Sequence, residues 1–224
     1  CNRRNTLSLM ITFVLVQHRF LNMLKVFPIP ALSDNYIWCL QADGADQVTL
    51  VDPGDRRVLD TLRQKNLQPV AILITHQHVD HVGAVQQLLA RYPGIPVYGP
   101  ARSLVSEHRF GPEMPIPQLI SHPLEEDDEV QIDELNASFR VMALPGHTLD
   151  HIGYFGEGSL FCGDTLFVGD VGRPDLFPGR AKELASQLFV SLKKLKELPD
   201  FCEVLPAHGA GSLCGRAMGA KRRS

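Results

Sequence analysis

Long apolar runs are missing from this 224-residue chain. None approaches the roughly 20 residues that a membrane-spanning helix needs, so no spanning helix and no membrane partner are expected. A charge excess is also missing. Lys and Arg total 22 against 25 Asp and Glu, a formal net charge of −3. That leaves no basic footprint for nucleic acid. CxxC pairs are absent, and the five cysteines (Cys1, Cys39, Cys162, Cys202, Cys214) are odd in number and scattered. This argues against a disulfide framework and fits a reducing, cytoplasmic compartment. Internal repeats and low-complexity linkers are absent too. What is present is 44% hydrophobic, too apolar for a disordered chain. The length suits one domain with a sizeable core. Histidine is the surprise, because six of the nine fall in three short motifs.

The ends differ from the middle. Arg3 and Arg4 precede an apolar stretch, Leu7 to Val16, followed by Gln17, His18 and Arg19, like the first two regions of a signal peptide but with no A-x-A-like site after them. Residues 1–22 are read as an N-terminal extension and 23–215 as the folded domain. Residues 216–224 are read as a basic tail, with a missing following element as the alternative. Within the domain, strands are expected at Val26–Ile29, Tyr36–Gln41, Gln47–Asp52, Val70–Ile74, Ile95–Tyr98, Leu160–Cys162 and Phe201–Leu205, with strand-like chain from Glu125 to Val141. Asp55 is placed to cap a helix carrying Val58, Leu59 and Leu62 on one face. Helices are also expected from Gly83 to about Tyr92 and over Ala181–Leu198, where Leu184, Leu188, Leu192 and Leu195 form a stripe. Alternating strands and helices around one core make an α/β chain of sheets covered by helices.

The chemistry sits at strand ends. Thr75-His76-Gln77-His78-Val79-Asp80-His81 follows a buried strand and offers four ligands within six residues. Imidazoles suit zinc, iron and similar metals, and a carboxylate adds charge. His76 and His78 alternate toward one point. Asp80 and His81, past a turn, can face a second point about 3.5–4 Å away in a two-metal site. Pro145-Gly146-His147-Thr148-Leu149-Asp150-His151 places His147 at another strand end, with His151 read either as a ligand or as a hydrogen-bonding and packing residue behind one. In Phe161-Cys162-Gly163-Asp164, the aspartate can bridge two cations through its two oxygens, and Cys162 reads as a small buried residue. Leu205-Pro206-Ala207-His208-Gly209 delivers a last histidine.

The spacing of His76, His78, Asp80 and His81 is similar to the HxHxDH signature of the metallo-β-lactamase fold superfamily, a resemblance that runs from about Leu24 to Gly215. It implies a four-layer αββα sandwich with two divalent metal ions, zinc foremost and iron or manganese as alternatives. Carried over by motif, His76, His78 and His147 resemble the first metal's ligands. Asp80, His81 and His208 resemble the second's, and Asp164 resembles the bridge. Residues 29–38, the HxHxDH loop, 146–149 and 160–167 most resemble hydroxyacylglutathione hydrolase (glyoxalase II). Gln77 and Asp150 depart from its usual residues. Residues 168–176 and 206–215 resemble rhodanese-linked persulfide dioxygenase-like proteins instead.

The resemblance implies hydrolysis of a thioester, S-lactoylglutathione or a related hydroxyacylglutathione, by a water activated between the ions and oriented by Asp80 or Asp164. Arg173 is the candidate contact for a substrate carboxylate. The alternatives are an iron-dependent persulfide dioxygenase using His76, His78 or His147 with Asp164, a lactone or β-lactam hydrolase, and a metal-binding domain without activity.

Overall fold

The computed structural model describes residues 24–101 and 119–215. The expected extension at 1–22 and the basic tail at 216–224 lie outside the described residues. A first sheet contains β1 (Lys25–Ala31), β2 (Asn35–Gln41), β3 (Gln47–Val51), β4 (Gln68–Leu73), β5 (Val97–Pro100) and β6 (His122–Leu124), in that spatial order. β1, β2 and β3 pair antiparallel, while β3 to β6 pair parallel. Parallel neighbours need crossovers. Helix α1 (Arg57–Lys65) connects β3 to β4, and α2 (Val79–Val82) with α3 (Val85–Arg91) connects β4 to β5. The second sheet is built from β7 (Glu129–Ile132), β8 (Ala137–Ala143), β9 (Ile152–Gly156), β10 (Ser159–Gly163) and β13 (Glu203–Pro206), in the order β13-β10-β9-β8-β7. Between β10 and β13 lie a small hairpin, β11 (Leu166–Phe167) with β12 (Asp170–Val171), and helix α4 (Ala181–Leu195).

Three packed interfaces define four layers. Leu50 and Ile72 bury one face of the first sheet against Val58 and Leu62 of α1 and Val85 and Leu88 of α3. Their chain neighbours Val51 and Leu73 point the other way, into a core shared with Phe139, Val141, Tyr154 and Phe161 of the second sheet. Strands buried on both faces carry no polar alternation, which is why Val70–Ile74 reads as an unbroken apolar run. The outer face of the second sheet, through Met142, Leu144, Leu160 and Cys162, packs on Leu195 and Leu198. Each such buried side chain contributes roughly 1.5–3 kcal/mol relative to an exposed one. The αββα sandwich is therefore the fold of this chain.

The expected elements form with shifted ends, and Asp55 does cap α1, its Oδ1 accepting the Arg57 amide at 2.9 Å. The helix expected from Gly83 begins at Val85, after the separate turn α2. The Ile95–Tyr98 strand slides to Val97–Pro100, and Glu125–Val141 divides into β7 and β8 around a 3-10 turn at Asp133–Leu135. β6, β9 and the β11–β12 hairpin go unread in the sequence. Two parallel pairings place the chemistry. β3 beside β4 brings the residues after Val51 and Leu73 to one edge. β10 beside β13 brings those after Gly163 and Pro206 to the same edge of the other sheet. A bridge between Asn35 and His208, and the Ile152 amide donating to the Thr75 carbonyl at 2.9 Å, fasten the two edges together.

Candidate metal centre

The seven residues singled out as donors converge at that edge. Nδ1 of His78 lies 2.9 Å from Nε2 of His76 and 3.1 Å from Nε2 of His147. Nε2 of His147 is 3.2 Å from Oδ2 of Asp164. The other oxygen of Asp164, Oδ1, is 3.4 Å from Nε2 of His81 and 3.4 Å from Nε2 of His208. Those two nitrogens lie 3.5 and 3.4 Å from Oδ2 of Asp80. The donors thus fall into two sets of four that share Asp164, one oxygen to each.

The five distances to Asp164 and Asp80, 3.2–3.5 Å, match the spacing of ligands around a cation. Ligands about 2.0–2.1 Å from a tetrahedral ion sit about 3.3 Å from one another. Both oxygens of Asp164, and Nε2 of His81, are buried without a hydrogen-bond partner. Leaving such atoms unsatisfied costs about 1–3 kcal/mol each, a cost that a bound divalent ion removes. The histidine and aspartate clusters therefore suit divalent metal.

Groups behind the donors fix their orientation. His147 Nδ1 donates to the Arg173 carbonyl at 3.0 Å. His81 Nδ1 donates to Oδ2 of Asp52 at 3.0 Å, and Asp52 also accepts the Thr75 amide at 2.8 Å and the Thr75 hydroxyl at 2.6 Å. Asn35 donates to Oδ2 of Asp80 at 2.9 Å. Asp52, Thr75 and Asn35 carry no metal signature in the sequence. The only hint for Asp52 is an aspartate directly after a buried strand. Two glycines permit the close packing. A Cβ on Gly146, at φ +148°, would lie 2.4 Å from the Leu188 Cβ of α4. One on Gly172 would lie 1.8 Å from the Asp164 carbonyl.

Of the remaining expectations, His151 stands behind the donors. It is buried, stacks on His76, and its Nε2 accepts the Asp164 amide at 3.0 Å. Arg173, the candidate substrate contact, lies beside the donors through its backbone, which holds His147. Its guanidinium makes a two-pronged ion pair with Asp175, 2.7 and 2.9 Å long, and its contribution to the site is the carbonyl that holds His147. Gln77 and Asp150, the two positions unlike glyoxalase II, meet each other. Gln77 Nε2 donates to Oδ2 of Asp150 at 2.5 Å, joining the HxHxDH loop to the loop that carries His147.

Burial, helped by the neighbouring imidazoles, holds His76 and His78 well below the ordinary histidine value. Burial also lowers His147 and takes His151 down to about 3. His81 goes the other way. Burial opposes its charge, but Asp80, Asp164 and Asp52 together raise it well above normal. His208, beside Asp164 and Asp80, is raised likewise against its own burial. The sign for stability follows. The four depressed histidines lose stability as pH falls below their unfolded value of about 6.5. The two raised ones contribute fully below that value and lose their contribution as pH climbs above it. Protein stripped of metal with a chelator should therefore be most stable near pH 6.5, measured as thermal midpoint against pH. A steady rise from pH 6 to 9 would contradict this.

With the geometry in hand, comparison with known proteins gives a consistent result. Residues 34–208 match the metallo-beta-lactamase superfamily model. A hydroxyacylglutathione hydrolase of Vibrio cholerae is 44% identical over 187 residues, 83% of this chain and 66% of that protein. The chain thus spans just under two thirds of that relative's length. Among solved structures, the BLEG-1 B3 metallo-beta-lactamase superposes with a TM-score of 0.67 at 28% identity, covering 84% of this chain and 92% of that one. TTHA1623 in a di-iron-bound form gives 0.64 at 33% identity, covering 88% and 98%.

Proposed function

The chain belongs to the metallo-beta-lactamase superfamily, and from that premise we propose that it is a metal-dependent thioester hydrolase acting on S-lactoylglutathione or a related hydroxyacylglutathione. The observation that carries this reading is the single carboxylate of Asp164 shared between two donor sets, each completed by three further side chains. In it, His76, His78 and His147 would hold one cation, Asp80, His81 and His208 would hold the other, and Asp164 would serve both, with zinc as the first choice and iron or manganese as alternatives. The 44%-identical relative named hydroxyacylglutathione hydrolase supports the substrate class.

Two such cations would supply Lewis-acid chemistry there, polarising a carbonyl and acidifying water. The protein's part is to position and to keep charge in place. Without metal, burial works against ionisation of Asp80, yet the charge of His81, the His208 ring 3.4 Å away and the hydrogen bond from Asn35 hold it well below the usual carboxylate range. Asp164 is held low in the same way, by His81 and His147 against its burial. Both therefore stay ionised and orient the attacking water by accepting its hydrogen bonds. Asp80 is partly exposed, with 24% of its side chain accessible, so it faces the mouth of the site. Catalysis needs no protein nucleophile, and Cys39 and Cys162 are unsuited to the role, since burial pushes both thiols up to about 12. The four described cysteines are free, and a cytoplasmic location is kept as part of the proposal.

Zinc-loaded protein should hydrolyse S-lactoylglutathione, and His78→Ala should cut the rate by at least about 100-fold. Folded, metal-replete protein that leaves the thioester intact would reject the substrate assignment. The second reading, an iron-dependent persulfide dioxygenase, draws on the first donor set, where two of His76, His78 and His147 with Asp164 make a facial set of two histidines and a carboxylate that suits a single Fe(II). Oxygen uptake with glutathione persulfide would favour it.

A further inference from the structure

One thiol has no place in the account so far. Cys214 follows β13 by eight residues, and its Sγ lies within 4.8 Å of both a carboxylate oxygen of Asp164 and a ring nitrogen of His208. We propose that Cys214 is a further ligand of the centre, supplying its sulfur to the cation held by Asp80, His81 and His208. The proposal rests on the cation-pair reading above and adds a ligand to it.

The backbone holds this cysteine in place. Its amide donates to Ser212 Oγ at 3.1 Å, and its carbonyl accepts the Arg173 amide at 2.9 Å. Arg173 in turn accepts His147 through its own carbonyl, so one residue ties the cysteine to a donor of the other set. Gly172 and Gly215 form a bridge beside it. The carboxylate that Cys214 approaches belongs to Asp164, a residue 0% exposed whose two oxygens find no hydrogen-bond partner. A nitrogen and a sulfur bound to one zinc ion, at about 2.1 and 2.3 Å, are at most about 4.4 Å apart. On binding, the thiol proton leaves to solvent and the sulfur lone pair forms the bond, with no change of oxidation state. A soft sulfur biases that position toward zinc, cobalt or iron and away from manganese.

Cobalt(II) titration of the purified full chain tests this through absorption. Visible ligand-field bands report the cations themselves, and a near-ultraviolet sulfur-to-cobalt band reports the thiolate. The sulfur band is expected in the wild type, absent from Cys214→Ser and retained in Cys202→Ser. Cys214→Ser should also bind its second equivalent at least about tenfold more weakly. Visible bands without a sulfur band in the wild type would overturn the thiol ligand and leave the cation pair standing. A sulfur band that persists in Cys214→Ser would overturn it too. No cobalt uptake at all would overturn both. A measurement on the unaltered protein covers a variant that fails to fold. Cadmium or zinc should shield Cys214 from iodoacetamide, read by peptide mass, and equal alkylation with and without metal would reject the proposal.

Discussion

Asp164→Ala is expected to lower thioester hydrolysis by at least about 10³-fold, roughly 4 kcal/mol of transition-state stabilisation, and to reduce bound metal from two ions per chain to one or none. The reason is its double duty. Oδ2 lies 3.2 Å from His147 and Oδ1 lies 3.4 Å from His81 and from His208, so one substitution removes a donor from each set. The side chain is 0% exposed, and water has little room to replace it. Loss of any histidine opens one set only, so the Asp164 variant should fall below each single histidine variant in metal content. Asp164→Asn keeps the volume but gives up the charge and turns one bridging atom into an N–H donor. It should retain no more than one ion. Elemental analysis beside the rate assay checks both statements, and an Asp164→Ala protein with two ions and near-normal rate would remove the bridging role.

The donors were legible because their chemistry is written locally. Three histidines and an aspartate within six residues are rare in an ordinary loop, and His147, Asp164 and His208 each follow an apolar run and sit beside a glycine. The α4 helix was legible for the same reason, since Leu184 and Leu188 lie on one stripe and both are buried. β9 was not, because Ile152–Gly156 contains two glycines and pairs with its neighbours across the sheet rather than showing alternation of its own. The backbone role of Arg173 was hidden for a related reason. The nearest carboxylate, Asp175, lies two residues away and claims the guanidinium, while the useful group is a backbone carbonyl with no residue signature. The pairing of Gln77 with Asp150 was equally hidden. Each looked like an isolated departure, and only the fold places them, 73 residues apart in sequence, within a hydrogen bond of each other.

Asp52 is the clearest case of function set by topology, and it carries the second large prediction. It reaches the site only because β3 and β4 pair in parallel, which sets its carboxylate beside the Thr75 amide and hydroxyl and beside His81. As an acceptor it keeps an imidazole proton on Nδ1 of His81, so that Nε2, 3.5 and 3.4 Å from Asp80 and Asp164, is the nitrogen left to bind a cation. Asp52→Asn changes few atoms and keeps the volume. With its amide nitrogen toward His81, the ring would have to accept at Nδ1 and carry its proton on Nε2, where a cation must bind. The expected result is a folded protein whose second metal binds about 10–100-fold more weakly, with a rate loss that follows metal occupancy. Asp52→Ala differs, because it strands the buried Thr75 amide and the His81 ring together and should cost about 3–5 kcal/mol of folding stability. The two variants separate orientation from support. Weak metal binding with an unchanged denaturation midpoint in Asp52→Asn supports the tautomer argument. Full affinity in that variant would show that His81 is aimed by packing alone.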